Sequence, residues 1–215
     1  MNQHKRKDNM SKLETIVLEK CGIETINHMT HIDNLETILV HGLYAHSNPY
    51  KQTDISNEEV NNRRSKLEPV YHKSIHAYVP FYFNTRNAML YRNQCHFGED
   101  IIILGFEQDI ISEENILFTN NNASSESASF TNEASKLLDS NFIDWDRVFS
   151  SRWVHYGEKD VATMQMMMAE VLIPKHVKSS KIQVIYCQST SVKDKVKHHF
   201  ELKGIKVVVD THKFF

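Results

Sequence analysis

One acidic residue, Glu170, stands inside an otherwise apolar stretch, residues 164–174 (MQMMMAEVLIP). If this stretch is a strand, Glu170 shares its face with Met168 and Leu172, and the opposite face is apolar as well. An unpaired buried carboxylate is costly, and groups held in this way concentrate at active sites. The alternative is a glutamate at a sheet edge whose carboxylate reaches water. The sequence leaves both interpretations open.

Residues 78–84 (YVPFYFN) place two tyrosines on one face of a predicted strand. Alternation puts Tyr78, Pro80 and Tyr82 together, opposite a face of valine and phenylalanine. Pro80 indicates an edge strand or a bulge, because proline lacks the N–H that a strand ladder uses. Tyrosines beside such an irregularity either stack on a flat ligand or are half-buried sheet residues.

Two basic motifs complete the candidate chemistry. Arg63 and Arg64 are adjacent, and the planar guanidinium suits a pyrophosphate, so the pair is either an anion clamp or a solvated charge pair. His28 and His31 lie in HMTH, but no H-E-x-x-H or C-x-x-C accompanies them. We therefore expect no metal site, and we expect one histidine to hydrogen-bond a ligand or the backbone.

Glycine is scarce and dispersed in this chain of 215 residues. There are six glycines, and no two lie closer than Gly98 and Gly105. A loop that cradles phosphate needs clustered glycines so that backbone N–H groups can approach the anion. The sequence therefore argues against Rossmann and P-loop nucleotide binding.

Length and composition indicate one globular domain, with 40% hydrophobic and 24% charged residues. Cys21, Cys95 and Cys187 lie far apart, which argues against a disulfide framework. We expect a cytoplasmic protein with no membrane segment or secretory signal. Residues 171–215 hold nine lysines against three acidic residues, which is either a solvated face or a surface for a polyanion.

The elements that must position these residues alternate between helix and strand. Helices are predicted at residues 33–42, with Asp33 as N-cap and Gly42 past the end, and at 56–67 and 191–204. Strands are predicted at residues 78–84, 101–106, 167–173, 182–187 and 205–209. Residues 119–135, rich in Ser, Asn and Ala, are predicted to form a long mobile loop. The pattern favours an α+β fold.

Several segments together resemble the DarT family, toxins that use NAD to ADP-ribosylate nucleobases in single-stranded DNA. Residues 28–35 (HMTHIDNL), followed by IL at 38–39 and GL at 42–43, are similar to the family's "HITHIDNL…IL…GL" stretch. Residues 78–91 (YVPFYFNTRNAMLY) resemble its "YVPFYFxPRxxMLY" block, and residues 169–172 (AEVL) resemble its "AEFLV" strand. The arginine pair falls where the family has its catalytic arginine, and KFF at 213–215 is similar to its "WYY" close.

The resemblance implies an ADP-ribosyltransferase-like α+β fold, in which mixed β-sheets form a central NAD cleft with flanking helices. It divides the chain into a basic, helical N-terminal extension, residues 1–27, and a DarT-like domain, residues 28–215. Two departures are visible: Thr85 replaces the family's proline after "YFN", and residues 119–135 lack the histidine of thymidine-directed members, whose position falls near Ser127. The missing histidine leaves the target base open.

The resemblance assigns catalysis to Glu170 and Arg64. Glu170 would stabilise the positive charge that develops as nicotinamide leaves the ribose C1′, and Arg64 would contact the pyrophosphate or the target base. The NAD-binding residues implied are His28, Met29, Thr30, Thr37, Tyr44, Arg64, Tyr82 and Met89. The nucleic-acid-binding residues implied are Arg63, Arg86, Arg92 and Ser127. NAD serves as co-substrate, and no metal is needed.

The function expected from the resemblance is a toxin that transfers ADP-ribose from NAD to guanine or thymine in single-stranded DNA. This is a glycosyl transfer of the pentosyl type, also grouped loosely with nucleotidyl transfer. The expected partners are single-stranded DNA and a macrodomain antitoxin that removes the ADP-ribose. The alternatives are NAD-dependent modification of RNA or protein, and a non-enzymatic single-strand binder, which would not need Glu170.

Overall fold

The computed structural model describes residues 16–46, 50, 53–56 and 62–215. Residues 16–20 are helical, and the helices that follow are α1 (Leu35–His41), α2 (Ala88–Phe97), α3 (Trp145–Val148), α4 (Val161–Met166) and α5 (Thr190–His199). The strands are β1 (Ile26–His31), β2 (Leu43–Tyr44), β3 (Tyr78–Tyr82), β4 (Ile101–Phe106), β5 (Leu117–Thr119), β6 (Phe130–Thr131), β7 (Val154–His155), β8 (Glu158–Lys159), β9 (Glu170–Pro174), β10 (His176–Val177), β11 (Ile182–Cys187) and β12 (Lys206–Val209). Residues 1–15, most of the predicted N-terminal extension, lie outside the described part.

Eight strands form one mixed sheet in the order β12-β11-β4-β1-β3-β9-β5-β6. The pair β11 and β12 is parallel, and the other neighbouring strands of this sheet are antiparallel. Two small sheets, β10-β2 and β7-β8, lie outside it. This mixture of a large sheet and separate helices confirms the predicted α+β fold.

The large sheet is weakly joined at its centre, between β1 and β3. These strands share one pair of Cα partners, Asn27 and Tyr82, whereas β1 pairs with β4 and β3 pairs with β9 along their full lengths. Pro80 lies on the unjoined part of β3, where its missing N–H costs no hydrogen bond to β1. Of the two alternatives that Pro80 indicated, the edge strand is wrong, because β3 lies in the middle of the sheet. The irregularity is the short pairing between β1 and β3.

Strand β3 separates core from cavity by the alternation that the sequence predicts. Val79, Phe81 and Phe83 are buried in the main hydrophobic core. Tyr82 belongs to a second cluster, together with Met29 of β1 and Met168 just before β9. Burial of each large apolar side chain contributes roughly 1.5–3 kcal/mol, so both faces of this strand are firmly held.

The helix boundaries differ from the predicted ones by one turn or less at their starts. A 3-10 turn, Ile32–Asn34, precedes α1, and the His31 ring, not Asp33, caps it by accepting the Asp33 N–H. Gly42 ends α1 with φ +85°, as predicted, and a Cβ at this position would collide with His176. Helix α5 is capped by Ser189 and ends at His199, short of the predicted Gly204.

The other differences concern elements that carry the site. Strand β1 (INHMTH) and helix α2 were not predicted from the pattern. In the predicted helix 56–67, residues 57–61 lie outside the described part, and the chain turns at Arg64. The predicted loop 119–135 contains strand β6, and its residues 121–124 are buried. That segment is packed because its polar groups bond one another: Asn122 Oδ1 accepts the Ser124 N–H at 2.9 Å and the Ser124 hydroxyl at 2.7 Å.

Candidate active site

Glu170 is the first residue of β9, and it pairs with Tyr82 of β3 across the sheet. The side chain is 0% exposed. Its backbone N–H donates to the Thr119 hydroxyl at 3.0 Å, and this hydroxyl donates to the Asn121 carbonyl at 2.6 Å. The end of β5 therefore fixes the start of β9. The alternative of a glutamate with its carboxylate in water is excluded.

The buried carboxylate is paired with Arg64, which is 106 positions away in the sequence. Arg64 Nη1 donates to both carboxylate oxygens, at 3.2 Å and 3.0 Å, and the Ala123 N–H donates to Oε1 at 3.0 Å. The Arg64 side chain is 12% exposed, and its Nη2 is buried with no hydrogen-bond partner among the described residues. A guanidinium presents five donors, so this one retains a donor for a ligand.

Lys66 and Ser74 position the turn that carries Arg64. The Arg64 carbonyl accepts hydrogen bonds from the His76 N–H at 3.2 Å and the Ser74 hydroxyl at 3.4 Å. Lys66 Nζ donates to the carbonyls of Ser124 and Ser125, at 3.3 Å and 2.9 Å. The Arg64 turn is thus tied directly to the segment whose Ala123 N–H contacts Glu170.

A second buried carboxylate, Glu68, organises the same turn and was not predicted. It accepts the N–H groups of Val70, Tyr71 and Lys73 at 2.8–2.9 Å and the Tyr78 hydroxyl at 3.0 Å. Burial opposes its charge, but the three N–H groups and the hydroxyl together outweigh burial and lower the Glu68 pKa. Burial and the bond to Glu68 raise the pKa of Tyr78, so the phenol stays protonated.

A cavity of about 190 Å³ opens between the diverging strands β1 and β3. The half-buried side chain of His28 on β1 reaches β3, where its Nδ1 lies 2.8 Å from the Pro80 carbonyl oxygen. Because a carbonyl only accepts, Nδ1 must carry the proton, and Nε2 is left as an acceptor. Burial lowers the pKa of His28 more than this hydrogen bond raises it, so the ring is neutral near pH 7.

Tyr82 and two asparagines are among the other polar residues that line this cavity. Burial and the nearby Glu170 charge raise the pKa of Tyr82, which keeps its phenol protonated. Asn34 Nδ2 donates to the Thr30 hydroxyl at 3.2 Å. Buried Asn93 approaches Met29 Sδ with Nδ2, and its Oδ1 has no partner among the described residues. Neither asparagine was predicted, although Asn34 lies within the segment HMTHIDNL.

The structure brings most of the predicted NAD-binding residues together around one cavity. Those lining it are His28, Met29, Thr30, Tyr44, Arg64, Tyr82 and Met89. Thr37 is not among the lining residues; it lies on α1, where its hydroxyl donates to the Asn34 carbonyl at 2.9 Å. The catalytic and binding roles of all these residues stay predictions.

The predicted nucleic-acid-binding residues are dispersed around the cavity. Arg63 is exposed beside Arg64, and the Arg86 guanidinium lies 4.8 Å from the centre of the Phe215 ring. Arg92 lines an adjoining groove, which shares residues 54–56 with the cavity. Ser127 is exposed, and its hydroxyl accepts a hydrogen bond from Asn121 at 3.0 Å. Their roles also stay predictions.

The described ranges contain neither a cluster of metal ligands nor a membrane-spanning helix. Residues 16–46, 50, 53–56 and 62–215 contain no group of three or more His, Cys, Asp or Glu side chains arranged for a metal ion. In the same ranges, every helix is too short or too polar to cross a bilayer.

Comparisons with known proteins identify what this arrangement is similar to. A family model described as "DarT: ssDNA thymidine ADP-ribosyltransferase, DarT" matches residues 27–215. A DNA ADP-ribosyl transferase–DNA ADP-ribosyl glycohydrolase fusion protein of Thermosipho africanus is 28% identical over 195 residues, which are 87% of this chain and 48% of the fusion protein. The chain thus spans about half the length of that relative. A DNA ADP-ribosyl transferase of Thermus sp. is 29% identical over 183 residues, 80% of this chain and 84% of the relative.

The similarity extends to solved structures. Thermus sp. 2.9 DarT in complex with ADP-ribosylated single-stranded DNA has a TM-score of 0.76 and 26% identity, over 90% of this chain and 97% of that one. The same Thermus protein in complex with NAD+ has a TM-score of 0.73 and 26% identity, over 90% and 98% of the two chains. The expected ADP-ribosyltransferase fold is thereby confirmed.

Proposed function

This chain belongs to the DarT family, and from that premise we propose that it transfers ADP-ribose from NAD to a thymine base in single-stranded DNA. The observation that carries the proposal is the fully buried Glu170 carboxylate, ion-paired with Arg64 beside a cavity between β1 and β3. A carboxylate in this position is costly for folding, so a catalytic role accounts for its presence.

The reaction exchanges one glycosidic bond for another. Bound NAD supplies the ADP-ribosyl group, and nicotinamide leaves with the electron pair of the bond to the ribose C1′. The base nitrogen forms the new bond to C1′ and releases its proton. The bond that breaks joins a sugar to a base, so the proposed activity is a pentosyl transfer. It is not a nucleotidyl transfer, because no bond to phosphorus is broken.

Each group around the cavity has a task in this reaction. Glu170 stabilises the positive charge on the ribose ring, which grows as nicotinamide departs. The free donor on Arg64 Nη2 contacts an oxygen of the substrate. His28 accepts a substrate hydrogen bond at Nε2, and Tyr82 and Met89 form the apolar wall against the nicotinamide ring. Met29 and Thr30 hold the same end of the dinucleotide.

Thymine is the acceptor that the family description favours. The Thermus relative, which was solved with ADP-ribosylated single-stranded DNA, supports DNA as the substrate. The absence of histidine from residues 119–135 favours guanine as the second candidate, because the position near Ser127 lacks an imidazole. Either base must leave its stack to reach a pocket, which makes single strands the natural substrate.

A toxin role in the cytoplasm, restrained by a macrodomain antitoxin, follows as part of the same proposal. The Thermosipho relative, which joins a transferase to a glycohydrolase in one chain, supports a partner activity that removes ADP-ribose from DNA. Modification of a cell's own single-stranded DNA would block replication, and an enzyme with this activity needs such a partner.

The test is a mass measurement on defined oligonucleotides. The protein is incubated with NAD and four single-stranded DNA oligonucleotides, each offering one base type, with matching RNA strands alongside. We expect one added ADP-ribose mass on the thymine strand, absent with Glu170→Ala. An adduct on guanine alone would favour the second candidate. An adduct on RNA alone, or none at all with NAD left intact, would contradict the proposed function.

A further inference from the structure

Three aromatic side chains from distant parts of the sequence meet at the surface. They are Tyr91 of α2, Trp153 beside β7, and Phe215, hereafter the aromatic cluster. Their ring centres are 5.4–6.0 Å apart in all three pairs. The function proposed above assigns none of these residues a role.

The rings of the aromatic cluster are arranged so that faces remain open. Every pair meets nearly at right angles, with interplanar angles of 79–83°. Edge-to-face contacts of this kind use one ring's edge and leave other faces free for a further stacking partner, although Arg86 covers one face of Phe215. Tyr91 is 50% exposed and Phe215 is 37% exposed. Large aromatic side chains exposed together in this way mark an interaction surface.

The aromatic cluster is held firmly and lies next to the active-site cavity. The Phe215 N–H donates to Gln94 Oε1 at 3.0 Å. The preceding residue, Phe214, is buried in the same hydrophobic cluster as Met29 and Tyr82, which line the cavity. Tyr91 lies on α2, whose other side contributes Met89 and Asn93 to the cavity lining. The aromatic cluster and the cavity are thus joined by helix α2 and by the C-terminal Phe214–Phe215 segment.

One arginine contacts the aromatic cluster, and two others adjoin it in the sequence. The Arg86 guanidinium lies over Phe215 at 4.8 Å, and the exposed Arg92 and Arg152 directly adjoin Tyr91 and Trp153 in the sequence. Open aromatic faces with flanking guanidinium groups are the combination that binds single-stranded nucleic acid, because bases stack on the rings and phosphates pair with the cations. A base drawn into the cavity also leaves its neighbours without a stacking partner, and a ring can replace it.

We propose that the aromatic cluster is a stacking platform for the bases that flank the modified base in single-stranded DNA. This proposal rests on the proposed function, because it needs a DNA strand at the cavity. The platform binds the strand without reading its sequence, since every base has a face that can stack. The identity of the modified base is then decided at the cavity and not at the platform.

The first experiment measures binding of labelled single-stranded oligonucleotides by fluorescence anisotropy, without NAD so that no transfer occurs. The variant is Tyr91→Ala, and the matched control is Tyr156→Ala, a fully exposed tyrosine at the tip of the β7–β8 hairpin outside the cluster. We expect Tyr91→Ala to raise the Kd roughly tenfold or more, and the control to leave it within about twofold. Tyr91→Phe, which keeps a ring, should restore binding.

A second measurement reports stacking directly. The chain has two tryptophans, so the variant Trp145→Phe leaves Trp153 as its single indole fluorophore. Addition of single-stranded DNA should quench this emission saturably, with the same Kd as the anisotropy measurement. A binding curve without any change in Trp153 emission would contradict stacking at this ring, even if a Tyr91 variant were too unstable to study.

The outcomes separate this proposal from the proposed function. If the wild type modifies a long oligonucleotide and Tyr91→Ala does so with an unchanged KM, the platform is overturned while the enzyme stands. If Tyr91→Ala weakens binding of RNA but not of DNA, the platform is likewise overturned as a DNA surface. If the wild type binds no single strand, the proposed acceptor fails and the platform fails with it.

Discussion

The site contains two buried carboxylates, and they are used in opposite ways. Glu68 is 1% exposed and accepts four hydrogen bonds, all from its own turn and the start of β3. Glu170 is equally buried, but its partner Arg64 comes from a distant segment and keeps one donor that has no partner within the described part of the chain. All the hydrogen bonds of Glu68 are thus local, whereas the Glu170–Arg64 pair borders the cavity.

The comparison teaches how to separate a structural buried charge from a functional one. Burial alone does not distinguish them, because both carboxylates are removed from water. The difference lies in what remains unsatisfied: local N–H groups match Glu68 fully, whereas the Glu170 pair leaves a charged donor for something else. Substitutions at Glu170 or Arg64 should therefore lower the transfer rate, whereas substitutions at Glu68 should lower only the folding stability.

The largest expected effect is on catalysis by Glu170→Gln. The amide keeps an oxygen for the Ala123 N–H but loses the charge that stabilises the ribose. We expect the transfer rate per folded molecule to fall by about 10³, and folding stability to fall by about 3 kcal/mol because the buried Arg64 charge loses its anion. Rates on a thymine oligonucleotide and thermal unfolding measure the two quantities. Retention of more than a tenth of the rate would assign Glu170 to the structural class.

The next effect is expected from Arg64→Lys, which preserves the positive charge. A lysine ammonium can pair with Glu170 but cannot extend a second nitrogen to a substrate. We expect kcat/KM for NAD to fall by roughly 10–100-fold while the thermal midpoint stays close to that of the wild type. Steady-state kinetics with the oligonucleotide held at saturation check this. Equal kinetics in the two proteins would mean that the free donor has no role.

How far the sequence anticipated these sites depends on the kind of signal each one leaves. Strand β3 was predictable because its core face is apolar at every second residue. Strand β1 was not, because Asn27, Thr30 and His31 are buried polar residues that interrupt the apolar pattern. Buried polar residues, of which Thr30 lines the cavity, thus remove the signal that would have identified this strand.

The partners of the two carboxylates lie beyond pattern reasoning for a different reason. Arg64 and Glu170 were both named, but their contact across 106 positions rests on the family resemblance and on the fold, not on any spacing. The Ala123 N–H, which completes the Glu170 site, is a backbone group, and every residue but proline has one. No sequence signal singles out Glu68, because its donors are three backbone N–H groups and one hydroxyl that only the folded turn brings together.

On the structural side, Glu68→Gln is expected to destabilise the fold by about 2 kcal/mol, because the amide cannot accept all four donors. This corresponds to a fall of roughly 4–8 °C in the thermal midpoint of a chain of this size. Activity per folded molecule at low temperature should change little, since the Glu170 pair remains. A large loss of activity without loss of stability would contradict the division between the two sites.

The pH dependence sharpens this prediction. The folded-state pKa of Glu68 is lowered, so its contribution is fully present above the unfolded value, near 4.3, and is lost as pH falls through the folded value. The midpoint difference between wild type and Glu68→Gln should therefore be constant from about pH 6 to 8 and shrink in acid below about pH 4. Thermal unfolding across this range measures it, and a difference that widens in acid would have the wrong sign.

The smallest effect is expected from Tyr78→Phe, which removes one of the four donors to Glu68 and keeps the ring. The buried ring still packs with Leu117 and Leu172, so the loss is one hydrogen bond to a charged group, about 1–2 kcal/mol. Because Tyr78 also lines the cavity, its ring could matter for NAD, but the hydroxyl is occupied by Glu68 at 3.0 Å. We therefore expect an unchanged KM for NAD together with a lower midpoint. A raised KM at constant stability would mean that the hydroxyl binds the substrate instead of Glu68. The Glu68 turn would then belong to the substrate site.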